Sequence, residues 1–171
     1  MKKKINLILF ICVFSIHGIA SNIIISGHIG KEIKNECSID LTEKCFEFEL
    51  SILNNSKNDT SFWINCNSWD KHIIQNKMGV ISNSFYDHDK PVLYKLIQGE
   101  TIKFKGIIRF RKPINSKTMK MKFGFILVNA NEYNYPKRNE MKFSTLEDVI
   151  LINWKKKDRV VYFDIEKPTI R

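Results

Sequence analysis

The chain has 171 residues, of which 28 are Lys or Arg and 18 are Asp or Glu, for a formal net charge of +10. Hydrophobic residues make up 43% of it, and no Pro/Gly/Ser-rich linker, internal repeat or low-complexity tract divides it, so the composition fits a single globular domain. The basic balance favours polyanions as partners. However, no Arg-rich tract or recognisable nucleic-acid module is present, and we expect no binding to nucleic acid.

The N-terminal segment has the pattern of a signal peptide. Lys2–Lys4 form a basic start, Ile5–Ile16 is an almost continuous apolar run, and Gly18 and Ala20 are small residues at the third and first positions before a cleavage site. The run is shorter than the roughly 20 apolar residues that cross a membrane. We therefore expect export to the periplasm, cell surface or medium, with cleavage after Ala20 that leaves residues 21–171 as one domain. An uncleaved N-terminal anchor is the alternative.

Three cysteines remain after that cleavage: Cys37, Cys45 and Cys66. In an oxidising exported compartment, one disulfide and one leftover cysteine is the natural count. We predict the pair Cys37–Cys45, because both residues precede or open the first long strand. Cys66 is expected to be buried as a small apolar side chain.

The stretch from Cys45 to Cys66 is predicted to form two strands joined by a polar turn at 54–59. In the first strand apolar and polar residues alternate, and the second is rich in β-branched and aromatic residues. An antiparallel hairpin matches every apolar position when Phe46, Phe48 and Leu50 lie opposite Cys66, Ile64 and Phe62, respectively. In that register Cys45 and Cys66 face opposite sides, so no disulfide between them is expected.

Further strands are predicted on both sides of this stretch, from alternation and from turn signals. Gly106 is expected to mark a bulge or bend. A closing hairpin is predicted from Val149–Trp154 and Val160–Ile165, after a short helical turn near Ser144–Asp148 that Ser144 would cap. The other predicted strands are Asn22–Ile29, Ile39–Leu41, Val80–Ser82, Val92–Ile97, Thr101–Arg111 and Thr118–Asn129.

About seven to nine short strands without a convincing long amphipathic helix predict an all-β fold of two antiparallel sheets packed face to face, with a barrel as the less favoured arrangement. The strand ending in Asn54-Asn55-Ser56, the aromatic strand after it and the later Leu96–Glu100 turn resemble small bacterial immunoglobulin-like sandwiches, including the family named for a bacterial intracellular proteinase inhibitor. Cys66–Trp69 is similar to exported proteins of Gram-negative bacteria with this architecture. The resemblance implies an immunoglobulin-like antiparallel β-sandwich of seven to nine strands and carries no catalytic residues.

Two groups of residues suggest catalysis or metal binding. Asp87–Asp89, with His88 at its centre, offers carboxylate and imidazole ligands for a divalent ion. Asp70 could orient His72 as an acid/base pair, and together with Asp87–Asp89 these residues would serve a metal-dependent or acid/base enzyme. No nucleophile motif accompanies them. A solvated loop is the preferred interpretation, and we expect no enzyme activity, no metal and no cofactor.

Aromatic residues suggest a binding surface instead. Trp63, Tyr133, Tyr135 and Trp154 could form a platform for a sugar or peptide, although Trp63 and Trp154 are expected to cover sheet faces. Tyr133 and Tyr135 are expected to be exposed, and with Trp69 and His72 they are the candidate ligand-binding loop residues. The predicted function is a non-catalytic binding or structural module at the cell envelope. Its expected partner is an envelope protein or glycan, or a membrane surface that attracts the positive charge; a protease inhibitor is an alternative.

Overall fold

The structure is a computed structural model that describes residues 22–33, 44–77, 79–83, 90–110, 120–135 and 145–166. Several predicted features lie outside these residues: the signal peptide at 1–20, the strand at Ile39–Leu41, Cys37 and the Asp87–Asp89 cluster. The described elements are the strands β1 (Ile23–Ile33), β2 (Lys44–Asn54), β3 (Thr60–Asn65), β4 (Ile73–Ile74), β5 (Gly79–Asn83), β6 (Pro91–Leu96), β7 (Thr101–Phe110), β8 (Lys120–Ile126), β9 (Val128–Asn129) and β10 (Val160–Glu166), the helix α1 (Leu146–Asn153) and the 3₁₀ helices Trp69–His72 and Lys157–Arg159.

The strands pair antiparallel in three sheets, so the predicted all-β class is confirmed. One sheet has the order β1-β2-β7-β5, the second β10-β8-β4 and the third β6-β3-β9. Leu127 alone separates β8 from β9, so the two three-stranded sheets share one nearly continuous extended segment. Strands β3 and β4 both run antiparallel to that segment, and the 3₁₀ helix Trp69–His72 lies between them in the chain.

One hydrophobic core is shared by all three sheets. The period-two pattern of β2 directs its aromatic and aliphatic side chains into this core, as predicted, and leaves Glu47 exposed. A second, smaller core lies under α1. The main core is Ile23, Ile25, Ile29, Phe46, Phe48, Leu50, Ile52, Phe62, Ile64, Trp69, Ile73, Ile81, Leu96, Phe104, Ile108, Phe110, Met121, Phe123, Phe125, Leu127, Phe163 and Ile165. The second core is Ile126, Val128, Tyr133, Leu146, Val149, Ile150 and Val160.

The predicted hairpin between Cys45 and Cys66 is wrong. Strand β2 pairs with β1 and β7, whereas β3 pairs with β6 and β9 in a different sheet. Alternation determines which side chains face the core, and this condition is met equally when two strands belong to different sheets around the same core. The turn at 55–59 therefore carries the chain from one sheet to another.

The cysteines also differ in part from the prediction. Cys45 is buried and disulfide-bonded. Cys66 is a free, half-buried cysteine whose Sγ lies 3.7 Å from the hydroxyl of Tyr94, so its expected full burial is wrong, while the expected absence of a Cys45–Cys66 disulfide is confirmed. Because Cys37 lies outside the described residues, the Cys37–Cys45 pairing stays a prediction.

The predicted closing hairpin is wrong as well, because its first half is the helix α1. Thr145, and not Ser144, caps this helix: the Thr145 side chain accepts from the backbone N–H of Asp148, and the Asp148 carboxylate accepts from the backbone N–H of Thr145. The buried positions follow the helical period, as expected for a helix with one face on a core. They are Leu146, Val149, Ile150 and Asn153.

The other strand predictions, where they fall on described residues, agree with the structure apart from two details. The predicted strands near Val80–Ser82 and Val92–Ile97 correspond to β5 and β6, and the predicted strand at Thr118–Asn129 is divided into β8 and β9. The bulge expected at Gly106 is wrong, since the pairing of β7 with β2 and with β5 passes through this residue without a shift in register.

Candidate ligand-binding cleft

A shallow cleft lined mainly by polar residues lies between the turn after β2 and the turn after β9, and its volume is about 410 Å³. More of its lining surface comes from apolar than from polar atoms of these residues. One wall comes from the first turn and the start of β3, and the other comes from the end of β9 and the residues after it. Of the nine described residues that line the cleft, seven carry an amide or a hydroxyl group. The lining residues are Asn22, Ser56, Asn58, Asp59, Thr60, Ser61, Asn129, Ala130 and Asn131.

The first wall of the cleft is held in place by the buried side chain of Asn54, the last residue of β2. Its Nδ2 donates to the backbone oxygens of Asn58 at 2.9 Å and of Leu96 at 3.0 Å. Its Oδ1 accepts from the backbone N–H of Ser56 at 3.0 Å and from the Ser56 hydroxyl at 2.7 Å. Because all these bonds exist before any ligand binds, little ordering of this wall would be needed on binding.

The second wall is held by Asn129 and by Trp63. With the Asn129 amide oxygen oriented towards the guanidinium, an orientation assigned from hydrogen bonding, the oxygen accepts from Nη2 and Nη1 of Arg159 at 3.0 and 3.1 Å. The indole Nε1 of Trp63 donates to the backbone oxygen of Ala130 at 3.1 Å. Both walls are therefore fixed by side chains from other elements of the fold.

Glu132 is the centre of a hydrogen-bond network behind the second wall. Its Oε1 accepts from Nε of Arg159 at 3.0 Å, and its Oε2 accepts from the backbone N–H of Asn129 at 2.8 Å and from Nδ2 of Asn153 at 3.1 Å. The Nζ of Lys156 lies 3.8 Å from Oε1. Sequence reasoning missed this network, because in the sequence Glu132 is an isolated acidic residue within a polar loop.

The predicted aromatic platform is only partly assembled. Trp63 and Tyr133 meet edge to face with ring centroids 5.2 Å apart, but Tyr133 belongs to the second core and is only 6% exposed, so its expected exposure is wrong. Burial raises the pKa of the Tyr133 hydroxyl. Tyr135 is exposed, as expected. Trp63 packs against the second core, whereas Trp154, which was expected to cover a sheet face, is exposed.

His72 is fully buried in the described structure. Its Nδ1 lies 2.8 Å from the backbone oxygen of Ile126, and its Nε2 lies 3.4 Å from the backbone N–H of Asn65. Since a carbonyl can only accept and an N–H can only donate, these contacts place the proton on Nδ1 and leave the ring neutral. The ring also stacks on Phe125 with centroids 5.3 Å apart. His72 thus joins the end of β3 to the end of β8 through the core.

Trp69 is likewise a core residue, with its indole ring against Phe48 at 6.3 Å and Phe104 at 5.8 Å between centroids. Asp70, next to it, is half-buried. Of the four candidate residues Trp69, His72, Tyr133 and Tyr135, the structure therefore places Tyr135 alone at the surface.

In the described ranges, no group of three or more His, Cys, Asp and Glu residues has an arrangement that could hold a metal ion. Asp87–Asp89, the sharpest metal candidate of the sequence, lies outside those ranges. No helix in the described part of the chain has the length and apolarity needed to cross a membrane.

Comparisons with known proteins give little further guidance. No family model matches the chain, and no curated protein matches it. Among solved structures, the crystal structure of the FixG-related protein from Vibrio parahaemolyticus matches with a TM-score of 0.33 and 10% identity, over 85% of this chain and 94% of that chain. At that identity and score the match supports no assignment of function. The geometry of the described residues shows a small protein built of antiparallel β-sheets.

Proposed function

We propose that this chain is an exported, non-catalytic binding module of the cell envelope, and that the polar cleft binds a glycan. The observation that carries the proposal is the chemistry of the lining, in which amide and hydroxyl side chains predominate and Asp59 is the one ionisable group among the described lining residues. Amides and hydroxyls both donate and accept hydrogen bonds, so these side chains can pair with the hydroxyl groups of a sugar. The fixed walls add preorganisation.

Two further features support the proposal. His72 is the residue proposed above as an acid/base. Both of its ring nitrogens contact backbone groups in the core, so a substrate in solution cannot reach the ring. Export is supported by the signal-peptide pattern at 1–20.

The finer fold that we propose is an immunoglobulin-like sandwich, in which the sheet β1-β2-β7-β5 forms one layer and the two joined sheets form the other.

The test is direct binding of envelope oligosaccharides, such as peptidoglycan fragments and lipopolysaccharide core oligosaccharides, to the purified full chain by calorimetry. We expect at least one of these glycans to bind without being cleaved. The Asn131→Ala variant should bind it about fivefold to tenfold more weakly, because it loses hydrogen bonds worth about 1 kcal/mol each.

Asn134→Ala is the matched control, because Asn134 is an exposed asparagine of the same loop that does not line the cleft. It should bind as tightly as the unaltered chain. The proposal fails if none of the glycans binds, or if Asn131→Ala and Asn134→Ala have the same affinity. Release of reducing sugar from a bound glycan would contradict the non-catalytic part.

A further inference from the structure

The C-terminal end of α1 exposes three large apolar side chains close together. Leu151, Ile152 and Trp154 are 60%, 57% and 56% exposed, although residues of these types are usually buried. Leu151 and Trp154 are three positions apart and therefore neighbours on one helix face. Ile152 is exposed at the same end of α1 but is turned by about 100° around the helix axis from Leu151. We call Leu151, Ile152 and Trp154 the apolar tip.

A basic segment continues directly from the apolar tip. Lys155, Lys156 and Lys157 are all exposed. Lys156 lies 3.8 Å from the Glu132 carboxylate, whereas neither Lys155 nor Lys157 has an ion-pair partner among the described residues. Within the described part of the chain, two lysine charges next to the apolar tip therefore have no acidic partner.

The acidic residues nearby do not cancel this charge. Glu147 and Asp148 lie in the first turn of α1, at the opposite end from the tip, where Glu147 pairs with Lys71 and Asp148 takes part in the helix cap. Asp158 pairs with Arg159 at 3.4 Å. The charge along α1 is therefore polarised, with its positive end beside the exposed apolar side chains.

We infer that this tip docks the protein on an anionic lipid surface. Indole rings favour the membrane–water interface, aliphatic side chains gain free energy by entering the acyl boundary, and lysines attract the phosphate groups of anionic lipids. An acidic protein would satisfy the lysines but would not explain three exposed aliphatic and aromatic side chains at the same end of the helix. With eight residues, α1 lies in the interface and does not span it. This inference does not depend on glycan binding at the cleft.

The test uses the full chain and vesicles of phosphatidylglycerol and phosphatidylethanolamine, compared with vesicles of phosphatidylcholine. We expect stronger co-sedimentation with the anionic vesicles and weaker binding at high salt. Brominated lipids should quench Trp154 fluorescence, and the Trp154→Phe variant should lose that quenching, because the other indoles are half-buried or fully buried. The double variant Lys155→Glu/Lys157→Glu should bind at least roughly 25-fold more weakly, since each lysine contributes about fivefold and each new glutamate adds repulsion from the anionic lipids.

Matched controls separate the tip from general surface properties. Ile152→Ser should weaken binding to the anionic vesicles, because it removes an exposed apolar side chain from the apolar tip. Ile97 is 62% exposed and far from α1 in sequence, so Ile97→Ser is its control. The exposed pair Lys57→Glu/Lys95→Glu makes the same change in net charge as the tip double variant. Every variant keeps the same N-terminal apolar segment, so differences between variants report the tip. Equal losses in tip and control variants, unquenched Trp154, or equal binding to both kinds of vesicle would overturn the inference.

Discussion

Gly106 lies at a point where the indole of Trp69 and the backbone of β5 both press against β7. A Cβ atom at this position would lie 2.5 Å from the backbone oxygen of Ser82 and 2.8 Å from Cζ2 of Trp69. The backbone oxygen belongs to a paired strand and the ring is fully buried, so neither can move aside cheaply. Glycine is therefore required here by close packing and not by a bulge.

We predict that Gly106→Ala destabilises the protein by about 2–3 kcal/mol, the cost typical of overpacking a tight core. The measurement is urea-induced unfolding. Gly79→Ala is the matched control, because Gly79 is also a buried strand glycine, yet its nearest neighbours would lie 3.5 Å or more from an added Cβ. A loss of stability as small for Gly106→Ala as for Gly79→Ala would show that the Trp69 contact is not tight.

Tyr94 is the residue whose ionisation should be most visible in the stability of the protein. Burial, and then the hydrogen bond to Cys66, raise the pKa of Tyr94 to about 12. A raised pKa means that the folded state resists deprotonation, so stability should fall as the pH rises from the unfolded-state value of about 10 towards 12. Tyr94→Phe should flatten this alkaline decline, and Tyr162→Phe, at an exposed tyrosine, should not. Unfolding measured between these pH values checks both, and parallel declines would contradict the prediction.

At the scale of the element, α1 begins with a capping box that should contribute measurably to the stability of the protein. Removing the Thr145 hydroxyl leaves the backbone N–H of Asp148 without its acceptor. We predict that Thr145→Ala lowers the free energy of unfolding by about 1 kcal/mol, whereas Thr145→Ser, which keeps the hydroxyl, changes it by less than about half of that. Thermal unfolding of the two variants is the measurement. Equal stability of the two would mean that packing on the second core, and not the cap, determines where α1 starts.

The strands and α1 also show which structural features the apolar–polar alternation of this sequence predicts and which it does not. Alternation correctly predicted that Phe46, Phe48 and Leu50 face the core, because this depends only on the pleat of one strand. It could not predict that β2 and β3 belong to different sheets, because pairing depends on contacts with β7 and β6 far along the chain. The short apolar run in α1 is predicted as a strand but forms a helix, because periodicity alone does not distinguish a strand from a buried helix in so short a run.

The candidate cleft was less predictable than the fold. Asn22, Asn58 and Asn131 are separated by long stretches of sequence, and each alone is an ordinary polar loop residue. Only the three-dimensional arrangement brings them around one cavity. Asn54 illustrates the same limit: the sequence places it in the polar turn, whereas the structure makes it the last residue of β2, and its bond to the backbone of Leu96 could not be predicted.

At the scale of the whole molecule, the Glu132 network connects the two surfaces proposed above. Glu132 bonds to the backbone of Asn129 in the cleft wall and to Asn153 at the end of α1, immediately before Trp154 of the apolar tip. Arg159, the residue immediately before β10, donates to the Glu132 carboxylate. Changes at Glu132 should therefore disturb both surfaces, whereas changes within one surface should leave the other unaffected.

The Glu132–Arg159 pair should contribute more to stability than a surface ion pair of similar length. Its N–O distance is 3.0 Å with side chains 16% and 19% exposed, while the Lys103–Glu49 pair has 2.8 Å with side chains 60% and 31% exposed. Solvent screens the second pair much more strongly. In double-mutant cycles with Glu132→Gln and Arg159→Met, we predict a coupling free energy of about 2–3 kcal/mol, against less than about 1 kcal/mol for Glu49→Gln and Lys103→Met. Equal couplings in the two cycles would mean that Glu132 acts through its hydrogen bonds to the uncharged donors of Asn129 and Asn153, which glutamine can partly replace, and not through the charge of Arg159.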